Sequence, residues 1–100
     1  SSVGITEEQA TKEGIAYTLH KLPMTYAGRF VAENEGQTGL CKILVSSDEK
    51  IIGVHMLGNP CSEFIGAACL AITNGLTVEQ LRSTIFPHPT VSEIIKETLL

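Results

Sequence analysis

Two periodicities divide this chain. Up to about residue 57, three segments carry the dense or alternating apolar positions of strands: Ile15 to Pro23, Leu40 to Ser46 and Lys50 to Leu57. The last two are joined by Ser47-Asp48-Glu49, a hairpin signal. Arg29 to Glu33, set between Thr25-Tyr26-Ala27-Gly28 and Glu35-Gly36-Gln37-Thr38-Gly39, reads as a further strand between two turns. After Gly58-Asn59-Pro60 the apolar spacing moves to near 3.6, and Glu63 to Asn74 reads as a helix that stops at Gly75.

Three short polar signatures mark other helix starts. Thr6-Glu7-Glu8-Gln9 is a capping box opening a helix that stops at Gly14, and Thr77-Val78-Glu79-Gln80 opens another that runs to about Ser83. Thr90-Val91-Ser92-Glu93 opens the last helix. The order of helix, three or four antiparallel strands and then helices predicts an α+β fold. Its antiparallel sheet of three to five strands carries helices packed on one side.

The 63–74 helix is unusual. Phe64, Ile65, Ala67, Ala68, Cys69, Leu70, Ala71 and Ile72 leave it almost no polar face, the pattern of a helix buried all round. One face of a small sheet cannot cover both sides, so part of the helix is expected to meet another subunit. Phe64, Ile65, Ala68, Leu70 and Ile72 are the expected interface residues, and the chain is expected to self-associate.

Composition narrows the function. One hundred residues, 43% of them hydrophobic, make one domain, residues 1–100, with a small core. A net charge of −4 with scattered Lys and Arg argues against a nucleic-acid partner. No run has the length of a membrane helix, and no basic-then-apolar leader is visible. Cys41, Cys61 and Cys69 form no C-x-x-C pair and are odd in number, which points to free thiols in a reducing, cytoplasmic compartment. Cys69, within the apolar helix, is expected to be a small buried hydrophobe. No histidine stands at a zinc-like spacing from these cysteines, so no metal ligand is assigned. His55 reads as a structural histidine on an apolar strand, and His20 as an exposed strand residue.

The chemistry concentrates at Phe86-Pro87-His88-Pro89-Thr90-Val91-Ser92-Glu93. Pro87 and Pro89 stiffen the backbone around His88 and disfavour helix there, and His88-Pro89 is a site where a cis peptide can occur. A stiffly presented imidazole with a carboxylate in reach suits general acid/base chemistry. A plainer reading has Thr90 and Glu93 serving only as a helix cap and His88 as a turn residue. Both readings fit the spacing, and they are compatible.

His88-Pro89-Thr90-x-Ser92-Glu93, followed by Ile94-Ile95-Lys96-Glu97, resembles the C-terminal signature of the flavin-dependent disulfide oxidoreductases, in particular lipoamide (dihydrolipoyl) dehydrogenase. Val3-Gly4-Ile5-Thr6-Glu7-Glu8-Gln9-Ala10 resembles the start of that family's C-terminal dimerisation, or interface, domain. Ile51-Ile52-Gly53-Val54-His55-Met56-Leu57-Gly58 resembles its central strand, and Ser62-Glu63-Phe64-Ile65 the start of its long interface helix. The resemblance runs from residue 2 to residue 100 in the family's order.

The resemblance implies a homodimer in which His88 is the base and Glu93 its partner, with Pro87, Pro89 and Thr90 as positioning residues. It implies that the FAD, NAD and redox-disulfide domains lie outside this chain. On that view the 100 residues bind no cofactor and are inactive alone, while His88 and Pro89 lie near the FAD of the partner subunit. The implied substrate is dihydrolipoamide or a lipoyl-bearing protein. Glutathione, mercuric or coenzyme A disulfide reductases share the domain, and a non-catalytic dimerisation module is the alternative from another class. Phe86 departs from one common lipoamide dehydrogenase pattern, which has a histidine at that place.

Overall fold

A computed structural model describes residues 1–100. Four strands, β1 (Ser2–Gly4), β2 (Tyr17–Pro23), β3 (Leu40–Ser46) and β4 (Ile51–Leu57), form one antiparallel sheet in the order β1-β4-β3-β2. The β3–β4 hairpin is at its centre, and Glu49 adopts the left-handed conformation (φ 66°) that its tight turn requires. Cys41, Ile43 and Val45 of β3 join Ile51, Val54 and Met56 of β4 on one face of the sheet. Helix α3 (Cys61–Thr73) packs there over β4 and β1, and α5 (Ile94–Leu99) over β3 and β2. The short α4 (Val78–Arg82) leans on α5. Burial of these apolar side chains in one continuous cluster supplies the main driving force for the fold.

The opposite face is thinly covered. Helix α1 (Glu7–Glu13) is held over it by an ion pair from Glu7 to Lys42 (2.6 Å) and by the Tyr17 hydroxyl, which donates to Glu7. The α1 ends match the sequence pattern: Thr6 and Gln9 close a capping box, and Gly14 takes the left-handed conformation (φ 68°).

Residues 29–33 correct the strand expected there. They belong to helix α2 (Gly28–Glu33), which follows a 3-10 turn at Met24–Tyr26. The buried residues Met24, Ala27 and Phe30 recur every third position, and Arg29 pairs with Glu33 one helical turn on. That three-residue repeat, rather than alternation, decides the segment. Strand β1 was not anticipated, because three residues are too few to show a period. It pairs with β4 in the register Gly4 to Gly53.

At that crossing both partners are glycines. A Cβ on Gly53 would collide with the Ile5 carbonyl, which also accepts a hydrogen bond from His55 Nε2 at 2.8 Å. His55 therefore has a structural partner, as its place on the strand indicated. His20 is half-buried rather than exposed. A Gly53→Ala variant is expected to lose about 1–3 kcal/mol of stability, the usual cost of forcing a methyl group into packed structure. A urea-unfolding midpoint equal to that of the wild type would contradict this account of the crossing.

The apolar helix is covered on one side only, as its all-round apolar pattern over a small sheet predicts. Within this chain α3 is not buried all round: Ala68 and Ala71 face the sheet and are buried, whereas Leu70 is 66% exposed. Phe64, Ile65 and Ile72 lie half-buried against the core. Ala68 thus belongs to the chain's own core and is not available to a partner. Cys69 is half-buried rather than buried, while Cys41 and Cys61 are buried. Burial pushes the Cys41 thiol up to about 11.

Candidate active site

The segment between α4 and α5 is an arm with little backbone support. Beyond Thr84, whose amide bonds Leu81, no backbone amide from residue 85 to residue 89 donates to another backbone group outside the regular elements. Ile85 is 92% exposed, and Phe86 turns inward to pack against the core. That packing accounts for an aromatic residue two positions before His88. The His88-Pro89 peptide is cis, as is Asn59-Pro60.

Side chains of the following turn hold the arm instead. Thr90 is the N-cap of a 3-10 turn, Val91–Glu93, which runs directly into α5. Its amide donates to Glu93 Oε2 at 2.9 Å, and its hydroxyl donates to the Pro87 carbonyl at 2.7 Å. Since that hydroxyl has a single proton, the Ser92 hydroxyl, 3.0 Å away, donates to Thr90 Oγ1. Ser92 had no role assigned from sequence. The signal was its place two residues beyond Thr90, within reach of a local side-chain bond.

Against this frame His88 Nδ1 lies 3.0 Å from Glu93 Oε1 and 3.1 Å from Oε2. The predicted pair is therefore formed, and Thr90 and Pro87 are joined to it by hydrogen bonds. His88 is 79% exposed at its side chain and Glu93 22% exposed. An ionised carboxylate beside Nδ1 keeps the proton of the neutral ring there, leaving the Nε2 lone pair free as a base. The Thr90 amide, followed by the hydrogen bond and charge of His88, holds the Glu93 carboxyl below its usual range. Glu93 thus stays ionised and available to an imidazolium. An exposed His–Glu pair contributes only about 0–1 kcal/mol to folding. Stability alone gives little reason to aim the ring this way.

The sign of the Glu93 shift fixes a pH dependence. A carboxyl depressed in the folded state stabilises above its unfolded pKa of about 4.3, and that contribution is lost as pH falls through the folded value. Glu93→Gln keeps an oxygen for the Thr90 amide but loses the charge, so it is expected to cost up to about 1 kcal/mol near neutrality, the worth of exposed charge interactions. The gap to wild type should narrow in the acid range. Thermal melts at neutral and acid pH check this, and a gap that widens on acidification would contradict it.

The remaining predicted residues lie apart from this pair. Phe64 and Leu70 line an apolar groove of about 520 Å³ with Leu76, Leu81, Ile85 and Phe86, and Pro87 and Ser92 are part of its wall. The groove and the histidine arm are thus contiguous. The sequence carries no Gly-rich strand–turn–helix segment of the kind that cradles a dinucleotide. No helix is long and apolar enough to cross a membrane.

The family described as pyridine nucleotide-disulphide oxidoreductase, dimerisation domain, matches residues 1–99. The chain is 39% identical to dihydrolipoyl dehydrogenase 1, mitochondrial, of Arabidopsis thaliana, over 100% of this chain and 20% of that protein. It is 36% identical to the mitochondrial dihydrolipoyl dehydrogenase of Schizosaccharomyces pombe, over 98% of this chain and 19% of that protein. Among solved structures, the HOCl-induced flavoprotein disulfide reductase RclA from Escherichia coli superposes with a TM-score of 0.88 at 28% identity. That match covers 98% of this chain and 22% of RclA. The chain spans about a fifth of the length of these relatives. Its four-stranded antiparallel sheet, its helices and its sequence place it in the pyridine nucleotide-disulphide oxidoreductase family, as a dimerisation domain of the kind found in dihydrolipoyl dehydrogenases.

Proposed function

We propose that this domain supplies a His88–Glu93 acid/base pair to the disulfide site of a partner subunit in a dihydrolipoamide dehydrogenase, during oxidation of dihydrolipoamide by NAD. The observation that carries the reading is the contact of His88 Nδ1 with the Glu93 carboxylate on an exposed arm. FAD, NAD and the redox disulfide belong to the remainder of that enzyme, where they supply the electron transfer.

The work of this chain is proton transfer. An alkyl thiol is mostly protonated at neutral pH, yet only its thiolate attacks a disulfide. His88 Nε2 takes the proton of a substrate thiol, and the thiolate sulfur then bonds to one disulfide sulfur as the other leaves as a thiolate. The imidazolium so formed keeps its Nδ1 proton against Glu93 and stabilises the nearby thiolate charge. Thr90 keeps both in place through its bonds to Glu93 and Pro87.

The second element is dimerisation through the apolar groove, with Phe64 and Leu70 of α3 meeting the other copy. A cytoplasmic or similarly reducing location suits three unpaired thiols. Phe86 in place of a histidine favours keeping glutathione, mercuric and coenzyme A disulfide reductases as the second reading. Turnover of a His88→Gln enzyme with dihydrolipoamide tests the proposal, and undiminished turnover contradicts it.

A further inference from the structure

We propose that Lys96 is a positioning residue for His88, acting as a tether between helix α5 and the arm that carries the imidazole; the inference rests on the reading of His88 as the base. The arm is anchored at few points. Phe86 packs inward, Thr90 bonds the Pro87 carbonyl, and Glu93 meets the ring, but all of these lie at residue 86 or beyond. At the start of the arm, the Lys96 ammonium donates to the Thr84 carbonyl at 3.0 Å across twelve residues of chain. Ile85, the next residue, is almost wholly exposed and so adds little packing to hold it.

The placement of Lys96 also matters electrically. It stands three residues after Glu93, on the same face of the helical segment. Its cation therefore sits near the carboxylate as well as on the arm, and it adds to the forces that keep Glu93 ionised. One side chain thus ties the start of the arm to α5, the helix that Glu93 precedes. A surface lysine paired with a carboxylate alone would contribute little. Here the ammonium bonds a backbone carbonyl where the arm leaves α4, just past the bonds that the Thr84 amide and hydroxyl make to Leu81 and Gln80, so its removal loosens backbone rather than only a side chain.

The readout is the tautomer of neutral His88, which a lysine that merely supports folding would not move. Nitrogen NMR of this chain with labelled histidine, using His88→Gln to assign the signals among His20, His55 and His88, reports which ring nitrogen holds the proton. The expected result is an Nδ1–H ring in the wild type and in Lys96→Arg, which keeps the cation and a donor. In Lys96→Met the Nδ1–H preference is lost, and turnover of the enzyme carrying that change falls roughly tenfold, about the loss of one charge-assisted bond. An unchanged Nδ1–H tautomer in Lys96→Met, or its equal loss in Lys96→Arg, overturns the inference and leaves the role of His88 standing. An Nε2–H ring in the wild type instead overturns the reading of His88 itself.

Discussion

His88→Gln is expected to lower dihydrolipoamide turnover of the enzyme carrying this domain by about 10²–10⁴-fold, the usual contribution of a positioned general base. The fold should barely notice. His88 is largely exposed, and the only hydrogen-bond partner of its ring in this chain is Glu93. Glu93 keeps its bond from the Thr90 amide when the imidazole is gone. The change should therefore leave the unfolding midpoint within about 0.5 kcal/mol of wild type, as for other surface substitutions. Activity and stability separate cleanly at this residue. Steady-state kinetics beside a urea titration measure both, and a large loss of stability would mean that the ring serves the fold.

The second large effect is expected at Leu70. It is 66% exposed on a helix otherwise short of polar residues, and it lines the groove to which Pro87 and Ser92 also contribute. Leu70→Glu would place a charge in the proposed interface, which would depend on removing apolar surface from water. It is expected to weaken dimerisation at least tenfold, in the range of a central interface residue. Sedimentation across a concentration series checks this, and an unchanged dimer would place the interface elsewhere. Since Leu70 contributes little to the chain's own core, the monomer should stay folded. Loss of dimer should also lower turnover, because the proposed site is completed by the other subunit.

Elements with a strong local code were legible in the sequence. The capping boxes at Thr6 and Thr77 and the stop at Gly14 are present as read, because backbone conformation and one side-chain bond decide them locally. The hairpin of β3 and β4 followed from dense apolar runs around a short turn. What failed depended on distant context. Phe30 and Val31 look like strand residues, but Phe30 fills the core on a three-residue repeat with Met24 and Ala27 while Val31 stays exposed. The all-round apolar pattern of α3, by contrast, was a sound guide: it exceeds what one sheet face buries, and the excess lies on the face with Leu70.

At the site, the His88–Glu93 pairing was legible because both residues fall within one short, stiff segment. The Thr90 hydroxyl on Pro87 and the Lys96 ammonium on Thr84 were not. A carbonyl acceptor has no residue identity, so nothing in the letters of Pro87 or Thr84 announces it. The plain capping reading and the catalytic reading also prove to share one carboxylate: Glu93 accepts from the Thr90 amide and pairs with the imidazole.

The most direct test of the central claim is the rate at which dihydrolipoamide reduces the disulfide–flavin centre, followed by stopped-flow absorbance in wild type and His88→Gln. If His88 takes the substrate proton, this single half-reaction slows in the variant by the same large factor as turnover. A half-reaction of undiminished rate would contradict the claim and leave this domain a dimerisation module alone.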